Sequence, residues 1–284
     1  SLWLRQKQAA TIGSRQPEVP HLLAPVCSLR WPRCSSLVRQ VAIGVSENST
    51  EVTVCRRGDP VYDPTDKTTV TMQDMIDGLR RIGLQEGDLV QVHSSLSAFG
   101  YVEGGPDTVV DALLQVVGPE GTVMMPTFNH GHADVFDIKT TPSTNGAITE
   151  TLRRRPEAHR SMHPTHPYAA IGSLAQALTH GHLEAGTFAA DSPLGRLATW
   201  GGWVLLLGVG MGSNTAFHVG EVMARSRCLS PWGSTRRILD HWGRVVEVSS
   251  GMWRDSRCPL ETDRIESLMR SRGLIRDDRI GAAD

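Results

Sequence analysis

The sequence predicts an α/β layered domain whose functional groups sit on loops at strand ends. Helical and strand-like segments alternate from about Thr69 onward. Val204-Leu205-Leu206-Leu207-Gly208-Val209 is a continuous apolar run, suited to a strand buried on both faces. The strands also give way to stretches rich in hydroxyl, histidine or glycine residues.

Each element follows from local pattern. Met72, Met75, Ile76 and Leu79 recur at helical spacing behind Thr71, a plausible N-cap, and Gly83 stops that helix. Leu89-Val90-Gln91-Val92 reads as a short buried strand that ends at His93-Ser94-Ser95-Leu96-Ser97. Helical spacing returns from Asp107 to Val117 and is closed by Gly118-Pro119. Val123-Met124-Met125 is a second strand, cut off by Pro126. After the apolar run come a loop and a helix over Asn214 to Arg225, with Asn214 at the N-cap. Val245-Val246-Glu247-Val248 reads as an outer strand, and Asp263 to Arg270 as a polar helix.

Residues 1–65 have a different texture. Up to Ser46 they carry Arg5, Lys7, Arg15, Arg30, Arg33 and Arg39 against the single acid Glu18, and prolines interrupt any period. We expect a poorly patterned extension, disordered or non-native, ahead of a folded domain over 66–284. An Arg-rich, acid-poor start also fits a targeting segment.

Bulk properties narrow the function. A net charge of -1 gives no reason to expect nucleic acid or an anionic membrane as partner. The apolar run Trp203 to Leu207 is far shorter than the roughly 20 residues that span a bilayer, so no membrane partner is expected. The chain's 5 cysteines form no CxxC pair, which argues against a disulfide scaffold and a zinc ribbon and for a reducing, cytoplasmic home. Cys228 and Cys258 lie in Arg-rich stretches but read as incidental thiols.

The chemistry concentrates in the histidines, most of which lie between His130 and His218. Imidazole exchanges protons near neutral pH. His163-Pro164-Thr165-His166-Pro167 holds His163 and His166 in stiff, extended backbone, as a catalytic loop or a polar surface loop. His218 and Glu221, three apart on a helix, share one face, so Glu221 can orient His218 as a general base. The alternative is an ordinary polar pair on a solvated face. The loop His93 to Gly100 can hold phosphate or an oxyanion through hydroxyls and backbone N–H groups, though serines after a strand are more often turn chemistry. His163, His166, His218 and Glu221 together offer zinc a ligand set, but HExxH and other compact spacings are absent and no metal is expected. G-x-S-x-G, Walker A and G-x-G-x-x-G are absent too.

In order along the chain, Val92 to Gly100, Gly104-Gly105, Gly121 to Phe128, Arg160 to His166, Asp191 to Gly195, Val204 to Val209 and Asn214 to Glu221 together resemble the aminoglycoside 3-N-acetyltransferases. The resemblance runs from about Thr69 to the C-terminus. It implies a three-layer αβα fold with a mixed central sheet, unlike the GCN5 type. It implies acetyl-CoA as co-substrate and the 3-amine of a 2-deoxystreptamine aminoglycoside as acceptor. It places His93, Ser94, Ser95, Leu96 and Ser97 in the CoA-binding loop, His218 and Glu221 at the catalytic pair, and His163 and His166 in the adjacent cleft. A polycationic acceptor calls for carboxylates, for which Asp134, Asp137 and Asp191 are the candidates beside Glu221. The chain departs from the family pattern at Pro167, at Gly220, and at Gly281-Ala282-Ala283-Asp284, where relatives generally continue into a last helix whose lack could expose core surface. The competing functions are acetylation of another primary amine, a zinc hydrolase using His163, His166 and His218, and an idle CoA- or antibiotic-binding protein.

Overall fold

The computed structural model describes residues 39–43, 69–230, 234–250, 253–255 and 257–283. Apart from 39–43, the expectation for residues 1–65 falls outside them. β1 (Arg39–Ile43) and β2 (Thr69–Val70) precede α1 (Met72–Arg81). β3 (Leu89–Ser94) passes through a 3-10 turn, Leu96–Phe99, into β4 (Tyr101–Val102) and α2 (Gly105–Val117). Next come β5 (Thr122–Pro126), β6 (Val135–Phe136), α3 (Ala147–Arg154), β7 (His159–Arg160) and β8 (Tyr168–Gly172). α4 (Ala175–Thr179), α5 (His182–Ala185), α6 (Pro193–Thr199), β9 (Trp203–Leu207) and α7 (Phe217–Met223) follow. The last elements are β10 (Leu229–Ser230), β11 (Ser234–Leu239), β12 (Val245–Ser250), β13 (Trp253–Arg254) and α8 (Thr262–Ser271).

The central sheet runs β1-β9-β3-β5-β8-β7. Its first three pairings are parallel, while β8 is antiparallel to both β5 and β7. This is the mixed sheet that the resemblance implies. Because side chains alternate along a strand, each strand divides its residues between two layers. Val90, Val92, Val123, Met125, Leu205 and Leu207 join a core with α1, α2 and α3. Leu89, Met124, Tyr168, Ala170, Val204 and Leu206 join a second core with α4, α6 and α7. The result is three layers. Each fully buried Leu or Val in them contributes roughly 1.5–3 kcal/mol relative to exposure.

Local chemistry sets the ends of the elements. Thr71 caps α1 as expected: its hydroxyl accepts from Asp74 N at 3.2 Å while its own N–H donates to Asp74 Oδ2 at 2.9 Å. Gly172 pairs with Thr122 at φ 128°, and a Cβ there would lie 2.1 Å from the Gly121 carbonyl, so only glycine fits. Pro126 does not lie beyond its strand but is the last residue of β5, paired with Tyr168. Val245 to Val248 do form a strand, yet in a separate sheet of order β12-β11-β6. The helix expected from Asn214 is shorter. Asn214 Oδ1 accepts from Ala216 N at 3.0 Å in a local turn, and the N-cap of α7 is Ala216. Ile280 and Ala283 are buried in the first core.

The cysteines correct another expectation. Cys228 and Cys258 form a disulfide, with Cα atoms 5.7 Å apart. Antiparallel pairing of β10 with β13 brings their neighbourhoods together, and the 30-residue separation leaves no mark in the sequence.

Candidate active site

β3 carries the first residues of the site. Val90 and Val92 face the first core, so Gln91 and His93 point to the other face, and Ser94 ends the strand. Ser95 N donates to the Leu207 carbonyl of β9 at 3.0 Å, which fixes the start of the serine loop. A cleft of about 600 Å³ opens there, lined by Ser94, Ser95, Leu96, Ser97, Gly105 and Gly146 among others. Gly105 begins α2 and Gly146 caps α3, so two helix N-termini face this cleft. Ser95 Oγ and Ser97 Oγ are 3.2 Å apart, whereas buried Ser94 Oγ has no partner. The hydroxyl lies in the wall that this cleft shares with a second one, an unpartnered polar atom that a ligand could satisfy.

Ser94 also lines a second cleft of about 220 Å³ with His93, Phe128, His130, Asn145 and Thr215. Burial pushes the His93 pKa down to about 3. Its Nε2 accepts from Thr215 N at 3.3 Å, which assigns the proton to Nδ1. Beyond His130 a row of rings continues inward. His130 lies 6.0 Å from His166, His166 lies 5.4 Å from Phe188, and Phe188 lies 4.9 Å from His218.

The HPTH segment is the expected loop, between β7 and β8. His163 Nδ1 accepts from His166 N at 2.9 Å, so its Nε2 carries the proton and donates to Thr187 Oγ1 at 3.1 Å. Both ring nitrogens are thus engaged inside the protein, leaving no lone pair for a metal. Burial, with His182 and His166 adding to it, pushes the His163 pKa well down. Burial likewise lowers His166 to about 3, and Thr165 Oγ1 lies 2.8 Å from its Nδ1.

His182 escaped the sequence reading. It stacks on His163 with ring centroids 4.5 Å apart, and its Nε2 donates to the Thr187 carbonyl at 3.2 Å. Its Nδ1 lies 2.9 Å from Ser161 Oγ, a hydroxyl that also accepts from Tyr168 N. Only the histidine count of the region hinted at it.

His218 and Glu221 meet on α7, with Nδ1 2.7 Å from Oε2. Both are partly exposed, at 22% and 17% of the side chain. Burial pulls the Glu221 pKa upward but is outweighed by hydrogen bonds from Arg254 and His218, which leave the carboxyl below its ordinary value. An ionised Glu221 accepts Nδ1–H, so the Nε2 lone pair of His218 is the one presented outward. Among the acidic candidates, Asp134 is ion-paired with Arg237 and Asp137 accepts from Lys139 N and Thr140 Oγ1 in its own turn. Asp191 is exposed, immediately before Ser192, the N-cap of α6.

An imidazole backed by a carboxylate, joined through Phe188, His166 and His130 to a cleft that also holds Ser94, is suited to acyl transfer. Known acetyltransferases are similar to this chain in sequence and in fold. The family model for aminoglycoside 3-N-acetyltransferase matches residues 91–284. Aminoglycoside N(3)-acetyltransferase VII of Streptomyces paromomycinus is 34% identical over 254 residues, covering 76% of this chain and 85% of that protein. The crystal structure of the aminoglycoside acetyltransferase AAC(3)-Xa matches with a TM-score of 0.68 at 33% identity, over 76% of this chain and 86% of the other. The binary complex of AAC-IIIb with CoASH matches with a TM-score of 0.66 at 26% identity, over 76% and 90%. The chain belongs to the aminoglycoside 3-N-acetyltransferase family and is an acetyltransferase.

Proposed function

We propose that this enzyme transfers the acetyl group of acetyl-CoA to the 3-amino group of 2-deoxystreptamine aminoglycosides and so confers resistance to them. Acetyl-CoA supplies a thioester, and amine attack on it forms the amide and releases the CoA thiol. The observation that carries the reading is the 2.7 Å contact between His218 Nδ1 and Glu221 Oε2 at the end of the row of rings. An ammonium has no lone pair, so the acceptor must lose a proton before attack. His218 Nε2 takes it, and Glu221 holds the ring and the resulting imidazolium. Direct attack in a ternary complex needs no acyl-enzyme, in keeping with the absence of a nucleophile motif from the sequence.

The serine loop and the two helix N-termini would hold the CoA end, with Ser94, which lines both clefts, as a candidate donor. His93, in the second cleft, would position Thr215 rather than transfer protons. Of the acidic candidates Asp191 is foremost, since Asp134 faces Arg237 and Asp137 is tied into its turn. The engaged nitrogens of His163 support a positioning role for it and weigh against the zinc hydrolase reading. The proposed partners are small molecules, without nucleic acid, membrane or metal; a cytoplasmic location is proposed as well, although the Cys228–Cys258 disulfide takes away the cysteine argument for it. Among the described residues no helix is long and apolar enough to cross a membrane.

The test is CoA thiol release with acetyl-CoA and a panel of aminoglycosides, comparing wild type with His218→Ala and mapping the acetylated amine by NMR. Drug-dependent release that is lost in the variant supports the activity and the base. Release with simple primary amines alone would favour the reading with another acceptor.

A further inference from the structure

Glu221 does not serve His218 alone. Its Oε2 meets His218, while its Oε1 is ion-paired with Arg254 Nη1, from a strand 33 residues further along. Arg254 is itself held at two points. Its backbone pairs with Leu229 in the β10–β13 ladder, and its Nε donates to the Cys258 carbonyl at 2.9 Å. Cys258 is bonded to Cys228, whose carbonyl accepts from Asp255 N at 2.9 Å. The guanidinium is therefore anchored on one edge by a covalently closed loop and presents the other to the carboxylate.

We infer that Arg254 is a positioning residue for the acetyl transfer, a third member behind the His218–Glu221 pair. The inference rests on His218 being the base. A glutamate with one oxygen unpaired rotates about its last bond, and each rotation away from His218 releases the imidazole. Arg254 removes that freedom by binding the oxygen that His218 does not use. It also keeps the carboxylate ionised in a partly buried place, so Nδ1–H stays donated and Nε2 stays the acceptor.

The same cation limits how strongly Glu221 holds the imidazolium. The groups that face His218 are Glu221 on its own helix, Phe188 before α6, and neutral His166 beyond Phe188, with Arg254 behind Glu221. Removing Arg254 takes away the positive charge nearest the pair. The acidic limb of the kcat/KM profile then moves to higher pH even as the geometry loosens.

The experiment is to follow acetylated drug by mass spectrometry, over pH, for wild type, Arg254→Gln, Arg254→Lys and His218→Ala. We expect Arg254→Gln to lose about ten- to a hundred-fold in kcat, the effect of one charged hydrogen bond. Its acidic limb should move up in pH, with KM for acetyl-CoA unchanged. Arg254→Lys should return the limb towards wild type without restoring full kcat. Should Arg254→Gln not fold, the wild-type enzyme with Cys228–Cys258 reduced by an added dithiol gives the second arm, with kcat and limb moving in the same directions. Unchanged kcat and an unmoved limb in Arg254→Gln, or in the reduced enzyme, overturn the assignment. A fall in kcat with an unmoved limb also overturns it, since that marks a merely structural contact. If His218→Ala itself retains turnover, the base reading has failed instead.

Discussion

His163 and His182 lie face to face, their rings 27° from parallel, and both donate to Thr187. Two imidazoles so placed must both be neutral, because each proton added would be buried beside the other ring.

Acid should therefore weaken the fold. Burial lowers His182 to about 4 and His93 and His166 to about 3, and His163 is also well depressed. Their unfolded-state value lies near 6.5, so below that pH the unfolded chain takes up protons that the folded one refuses. Stability is full above about pH 6.5 and falls as pH drops, by about 2 kcal/mol at pH 5 for one such histidine. Urea midpoints at pH 7 and pH 5 measure this, and equal midpoints would contradict it. His182→Gln should lose less between the two pH values than wild type.

Glu221→Gln should lower turnover by about 10²–10⁴-fold, because an amide can neither hold the imidazolium nor dictate the Nδ1–H tautomer. Acetyl-CoA affinity, read by calorimetry, should stay near wild type, since Glu221 is not among the residues that line the serine cleft.

Ser94→Ala separates stability from function. The hydroxyl is buried without a partner, so its loss should leave the urea midpoint unchanged or raise stability by about 1 kcal/mol. The same change should slow acetyl transfer. A destabilised variant with normal turnover would show that Ser94 holds the fold and not the ligand.

Gly172→Ala should destabilise by at least about 2 kcal/mol, since the new Cβ meets the Gly121 carbonyl and φ is positive. Chemical denaturation checks the size. A loss of a few tenths would mean that β5 and β8 separate easily.

What the sequence made legible was set by period and by capping. α1, α2, β3, β5 and β9 could be read because their apolar residues recur at fixed spacing. α3 was not foreseen: it is eight residues long, and Gly146 gives it no side-chain cap. β8 hides in Tyr168-Ala169-Ala170-Ile171-Gly172, where alanine carries no strand signal. In the site, the His218–Glu221 pair showed because both residues lie on one helical turn. His182 and Arg254 meet their partners only through the fold, across 21 and 33 residues, and no local pattern marks such contacts. Cys228 and Cys258 were hidden in the same way.

The alternation along β3 also shapes how this enzyme can evolve. Val90 and Val92 face a layer made of aliphatic packing, while Gln91 and His93 face the layer that holds the histidines. Mutations that retune the acceptor cleft thus fall largely in one layer, and the reserve of stability that lets a lineage tolerate them lies in the other. Selection by a new drug can reshape the reactive layer step by step while the opposite layer keeps the chain folded.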